Sequence, residues 1–253
     1  MNIGKCKLCL KENAALLKKS HIIPDFFHKD LKDENNKYSL ILPERFVKER
    51  KQHWKTPSGA MYDSDLLCEK CDNQIISKYE TNLSSTLTAN EDSESYQGDD
   101  DRRYKIYKNI DYKKYKLGWL SILWRASVST SEMFREVNIS ADHCETLRLM
   151  ILNDDAKDIE DYPMILYLFD KDDEKSILNP RFIDEDGFQY AKFILYDCMI
   201  LFVIGKLPSI SELFPYIPNH SGILHIPIKE KNYLSNYIGN IIIAAKSKLN
   251  NNQ

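Results

Sequence analysis

Two short cysteine pairs are the residues best suited to chemistry: Cys6-Lys7-Leu8-Cys9 and Cys68-Glu69-Lys70-Cys71, separated by residues 10–67. A CxxC pair turns two thiolates toward one point through a tight backbone reversal, and two pairs supply the four ligands of a tetrahedral zinc ion. Lys5, Lys7 and Lys70 beside the pairs favour thiolate over thiol. Redox-active CxxC motifs would sit in a βαβ pattern, which neither pair does. Zinc is therefore the expected ligand. Its role is structural, because four protein ligands leave no open position for water or substrate.

Any catalysis must come from other side chains. His143 and Cys144 are neighbours on an expected helix, where they point about 100° apart and cannot form a hydrogen-bonded dyad. His220 and His225 are also set aside, the latter lying in an apolar strand. His28 and His53 could reach a phosphate or a metal. Their plainer reading is a helix-surface histidine and a loop histidine. Arg45, Lys48, Arg50, Lys51 and Lys55 with Trp54 have the composition of a phosphate-tracking, base-stacking surface, diluted by Glu44 and Glu49. Cys144 and Cys198 read as ordinary buried thiols. The chain has no glycine-rich phosphate loop, nucleophile elbow or dinucleotide fingerprint.

The elements that position these residues fall into two groups. The first 60 residues carry 13 Lys and Arg against 7 Asp and Glu, and the remainder 22 against 31, so a basic module precedes an acidic body. That asymmetry points the N-terminal part toward a polyanion. Residues 1–90 are expected to form one module: a strand over Leu16–Pro24, an amphipathic helical stretch Asp25–Leu31, and a polar helix Asp72–Thr81 after the second knuckle. Residues 91–103, crowded with Glu and Asp, read as a linker. In residues 104–253, helices are expected over Tyr112–Thr130, Ser140–Leu152 with Ser140 as N-cap, and Tyr233–Leu249. Strands are expected over Tyr162–Phe169, Phe188–Leu195, Asp197–Ile204 and Gly222–Ile228, with a turn at Asp184–Gly187. The fold class is α+β. With 43% hydrophobic residues the chain can build a core, yet no apolar run reaches the roughly 18 residues of a membrane span. The N-terminus lacks an apolar signal core, and CxxC pairs suit a reducing compartment, so a cytoplasmic location is expected.

Taken together, Cys6-x-x-Cys9, Ser20-His21-Ile22-Ile23-Pro24, Leu66-Leu67-Cys68-x-x-Cys71 and Ser77-Lys78-Tyr79-Glu80 resemble the zinc-containing form of the HNH (ββα-metal) endonucleases, built on a treble clef. They are most similar to a group of bacterial HNH-like proteins, some resembling anti-phage defence components. Ser121-Ile122-Leu123-Trp124-Arg125-Ala126-Ser127 is similar to that group's second half. The resemblance implies a treble-clef zinc module followed by a mixed α+β domain, and hydrolysis of phosphodiesters in DNA or RNA, with DNA favoured. It puts His21 where the general base on the attacking water stands. Ser20 replaces the metal ligand before that base, Asp63 replaces the orienting asparagine, and Asp72 with Asn73 occupies the last position. Those two could hold a catalytic Mg²⁺ or Mn²⁺. The rival expectation is a non-catalytic zinc module that binds nucleic acid or a protein partner, the latter through residues 104–253.

Overall fold

The computed structural model describes residues 2–28, 31, 38–40, 54–56, 61–88, 94–98, 102–170, 175–185, 187–207 and 217–250. Among the described residues, six short strands open the chain: β1 (Asn2–Gly4), β2 (Ala14–Leu16), β3 (Ser20–His21), β4 (Tyr38–Leu40), β5 (Trp54–Thr56) and β6 (Tyr62–Asp63). They pair antiparallel as β1 with β2, β3 with β6 and β4 with β5. Of the expected basic surface, residues 45–53, His53 included, lie outside the described residues. Trp54 and Lys55 fall in β5.

After the second knuckle a π-helical turn, Cys71–Ile76, runs directly into α1 (Ser77–Thr88). Two further helices follow, α2 (Tyr112–Val128) and α3 (Ala141–Leu152), with α4 (Tyr233–Asn250) at the end of the chain. The cap expected at Ser140 forms, and Asp111 supplies a second one. Asp111 accepts a hydrogen bond from Lys114 N at 3.1 Å, and Ser140 accepts one from His143 N at 3.4 Å.

Helix α2 is buried on every side, a pattern that makes it the central element of a core and not a surface helix. Gly118 suits that position: a Cβ there would meet Tyr79 O at 3.2 Å and Leu83 Cβ at 3.4 Å, so its absence lets α1 approach closely. One hydrophobic cluster runs from Cys6, Leu8 and Ile22 through Tyr79, Trp119 and Trp124 to Leu147, Phe193 and Ile226. The zinc-ligand candidates and the C-terminal sheet thus share a continuous core.

That sheet adds β7 (Glu94–Gln97), β8 (Arg103–Tyr107), β9 (Met164–Leu168), β10 (Ser176–Glu185), β11 (Phe188–Tyr196), β12 (Cys198–Val203) and β13 (Leu224–Ile228). Its order is β10-β11-β12-β9-β13-β8-β7, antiparallel except for the parallel β13–β9 pair. The stretch 91–103, expected as a linker, therefore contains an edge strand. Glu94–Gln97 pairs with Arg103–Ile106, its polar and exposed composition suiting an edge. Strand β10 went unanticipated because Pro180 interrupts it. The sheet accommodates that proline on the opposite edge, where the register shifts between Leu178 and Arg181. No helix among the described residues is long and apolar enough to cross a membrane.

Candidate metal centre

The first knuckle grows out of the β1–β2 hairpin. Cys6 N donates to Lys11 O and Leu10 N to Cys6 O, closing the turn, with Leu10 in the left-handed region. The second knuckle is drawn to the first by backbone bonds: Lys7 N to Leu66 O at 2.9 Å, Leu17 N to Leu67 O at 2.9 Å, and a bridge between Leu16 and Cys68. In consequence the sulfurs of Cys6, Cys9, Cys68 and Cys71 all lie within 4.8 Å of one another. Cys9 Sγ and Cys68 Sγ stand 4.0 Å apart, far from a disulfide and close to the roughly 3.8 Å edge of a tetrahedral ZnS₄ unit with bonds of about 2.3 Å. This cluster could hold a metal ion such as zinc.

The surroundings act unequally on the four thiols. The Cys6 thiol is pushed down to about 4, chiefly by a hydrogen bond from Cys71 and also by backbone N–H groups, while Cys71 is pushed up, chiefly by that same hydrogen bond to Cys6, and Cys68 is pushed up by burial. Arg148 on α3 donates to Leu8 O at 2.5 Å, inside the first knuckle, and pairs with Glu145 at 2.7 Å. Its charge lies near Cys9. Nothing in the spacing of α3 announces this long-range contact. The sequence shows only a cation on an expected helix.

His21 lies at the end of β3, where the Ser20↔Asp63 and His21↔Tyr62 register sets the strand against β6. Ile22 N and Ile23 N both donate to Met61 O, and Ile22 and Ile23 are fully buried, so the backbone beneath His21 is tightly held. From above, Arg125 of α2 reaches His21 O through Nη1. The same Nη1 pairs with Glu80 Oε1 of α1 at 2.6 Å, and Nε and Nη2 bond Ser121 O and Oγ. The His21 ring is half-buried and packs edge-on against Tyr62.

The other sequence candidates separate. Asp72, on the π-helical turn, is half-buried, and its carboxyl is pushed up, mainly by burial; Ser20 and the charges of Arg125, Glu80 and His21 act on it. Asp63 is turned elsewhere. Its Oδ2 accepts from Thr130 N at 2.7 Å, Ser129 Oγ at 2.9 Å and Thr130 Oγ1 at 3.1 Å, fastening the end of α2. Asn73 is exposed on the π-helical turn. The structure thus brings His21 and Asp72 into one neighbourhood and assigns the Asp63 carboxylate to a different one.

A second cluster was not anticipated. Where the helical stretch Asp25–Leu31 is expected to start, Asp25–Phe27 forms a 3₁₀ turn, started by Pro24 and held by Phe27 N to Pro24 O, while residues 29 and 30 lie outside the described residues. Phe27 anchors it against Trp119 at a ring-centroid distance of 5.4 Å. His28, read from sequence as a helix-surface residue, is only 2% exposed. Its Nε2 bonds Ile23 O at 3.1 Å, and its Nδ1 faces Asp25 Oδ1 at 3.6 Å. One nitrogen or oxygen from each of His21, Asp25 and His28 falls within 4.8 Å of the others. The signal available in the sequence was the H-x₃-D-x₂-H spacing across Pro24, which has no meaning until the chain folds back at that proline.

No protein-family model, curated protein or solved structure matches the chain.

Proposed function

We propose that this chain is a zinc-stapled, HNH-like endonuclease that hydrolyses phosphodiester bonds in nucleic acid, DNA in preference to RNA, with a treble-clef module around the four cysteines. The observation that carries this reading is the position of His21: a half-open imidazole on a clamped strand, within the influence of Asp72 and within ligand reach of Asp25 and His28. A neutral imidazole serves phosphodiester hydrolysis either by accepting a proton from water or by holding a divalent ion. Such an ion, when bound, supplies charge stabilisation at the phosphoryl and leaving oxygens. The chain's own contribution is orientation. Arg125 fixes the His21 carbonyl, Pro24 and Phe27 fix the turn that follows, and the zinc knuckles fix the β3–β6 pair relative to Asp72.

The test is cleavage of plasmid DNA and of labelled single-stranded oligonucleotides by zinc-loaded protein with added Mn²⁺ or Mg²⁺. Wild-type protein is expected to cut at least about 100-fold faster than His21→Ala. A second reading, a non-catalytic zinc module that binds nucleic acid or a protein partner, is favoured by Asp63, whose carboxylate accepts hydrogen bonds from Ser129 and Thr130. Protein that retains zinc and binds DNA but cuts with neither ion supports that second reading and overturns the first.

A further inference from the structure

We infer that His21, Asp25 and His28 form a second metal site, distinct from the four-cysteine centre, that takes one divalent transition ion. The inference goes beyond the nuclease reading, since it holds whether or not the chain cuts nucleic acid. Its ground is the arrangement around His28. This ring is buried, and its Nε2 bonds Ile23 O at 3.1 Å, which makes Nε2 the protonated nitrogen because a carbonyl can only accept. In the neutral ring Nδ1 then carries the lone pair; it stands 3.6 Å from Asp25 Oδ1, an ion-pair distance when the ring is protonated. An imidazole held by one nitrogen on a backbone carbonyl while the other faces outward is how proteins orient histidine ligands to metals.

The spacing agrees. Donors sharing one ion with bonds of about 2.1 Å stand roughly 3 to 4.2 Å apart, so ligand atoms already within 4.8 Å need only a small inward adjustment. The 3.6 Å between His28 Nδ1 and Asp25 Oδ1 falls within that ligand-to-ligand range. Burial is graded across the three: His28 is sealed in the core, His21 is half-buried, and Asp25 is 52% exposed. An ion held there would be anchored from the protein side and open toward solvent. The site is rigid where it must be, because His21 and His28 are joined by Ile22, Ile23 and the Pro24 turn, all fixed by backbone bonds or burial.

Donor chemistry names the class of ion. Two imidazoles and one carboxylate suit Mn²⁺, Fe²⁺, Co²⁺, Ni²⁺ or Zn²⁺, whereas Mg²⁺ prefers oxygen ligands and keeps its waters. The site therefore takes Mn²⁺ in preference to Mg²⁺, and in it His21 acts as a ligand.

The probe is Mn²⁺ itself, titrated into full-length protein whose cysteine centre is already zinc-loaded, and followed by electron paramagnetic resonance and calorimetry. One equivalent is expected to bind the wild type, with Mg²⁺ displacing it at no less than about a 10-fold excess. Asp25→Asn, a change at an exposed position, is expected to weaken binding at least 10-fold with an unchanged melting temperature. His28→Gln is expected to abolish it, with circular dichroism confirming the fold. Absence of the Mn²⁺ equivalent, or equal affinity in wild type and Asp25→Asn, overturns the site. Mn²⁺ binding without DNA cleavage supports the site and removes the nuclease reading; cleavage by protein lacking this equivalent does the reverse.

Discussion

Replacing Arg125 with methionine removes a guanidinium that joins three parts of the protein: the backbone of His21, the Glu80 carboxylate of α1, and its own helix at Ser121. Arg125 is 1% exposed and Glu80 26%, so the pair is nearly, though not fully, removed from water. Deleting one member of a buried pair costs about 3–5 kcal/mol. Water can reach Glu80, which lowers the figure toward about 3 kcal/mol, while the loss of a donor to His21 O in a part-buried position keeps it from falling further. Methionine fills most of the volume, so cavity formation adds little. For a chain of this length 3 kcal/mol corresponds to a fall in Tm of roughly 6–12 °C. Urea unfolding followed by fluorescence of the buried Trp119 and Trp124 measures the loss. A cycle with Glu80→Gln isolates the pair, with an expected coupling of about 1–2 kcal/mol. Lysine should not rescue, because one ammonium cannot span the same partners. A loss below about 1 kcal/mol, or additive single effects, would refute the claim that Arg125 clamps His21 to the helical core.

Three further outcomes are expected. Burial lowers the buried Lys116 ammonium to about 8, even though nearby acidic residues oppose the shift. The folded state then binds fewer protons than the unfolded chain between about pH 8 and 10.5. This lysine therefore destabilises the fold below pH 8, and the penalty is relieved as pH rises through that window. Lys116→Met should be more stable than wild type by up to about 3 kcal/mol at pH 7, less the lost bond to Asp158 O, and the difference should shrink by pH 10 in paired melts. Gly118→Ala should cost about 1–3 kcal/mol despite alanine's better helix propensity, because the added Cβ meets the Tyr79 carbonyl at 3.2 Å; equal stability in urea would show that α1 yields freely. Asp63→Ala should lose about 2–3 kcal/mol by unfastening Ser129 and Thr130, yet leave Mn²⁺ affinity unchanged in the calorimeter.

What could be read from the sequence was local. The CxxC spacing announced the four-cysteine cluster, Ser140 announced a helix start, and the apolar face over 112–130 announced the helix that runs to Val128. What could not be read depended on partners far along the chain. Arg125 and Arg148 look like surface cations until the carbonyls of His21 and Leu8, more than 100 residues away, meet them in the core. Asp63 matches an orienting position in motif spacing, but Thr130 N claims its carboxylate first. The spacing of Phe26, Phe27 and Leu31 suggests a helix that would carry His28 on its surface. Pro24 instead starts a 3₁₀ turn that carries His28 inward. Strand β7 was obscured by the acidic residues around it and β10 by Pro180, features that their edge positions tolerate.

The proposed function presupposes one ion joining residues 6–9 to 68–71, and native mass spectrometry with metal analysis tests that directly. Wild-type chain purified without chelator should carry one zinc released only on unfolding or thiol modification, and a Cys9→Ser, Cys71→Ser double variant should carry none. A folded wild-type chain without zinc, or a double variant that keeps it, would contradict the account.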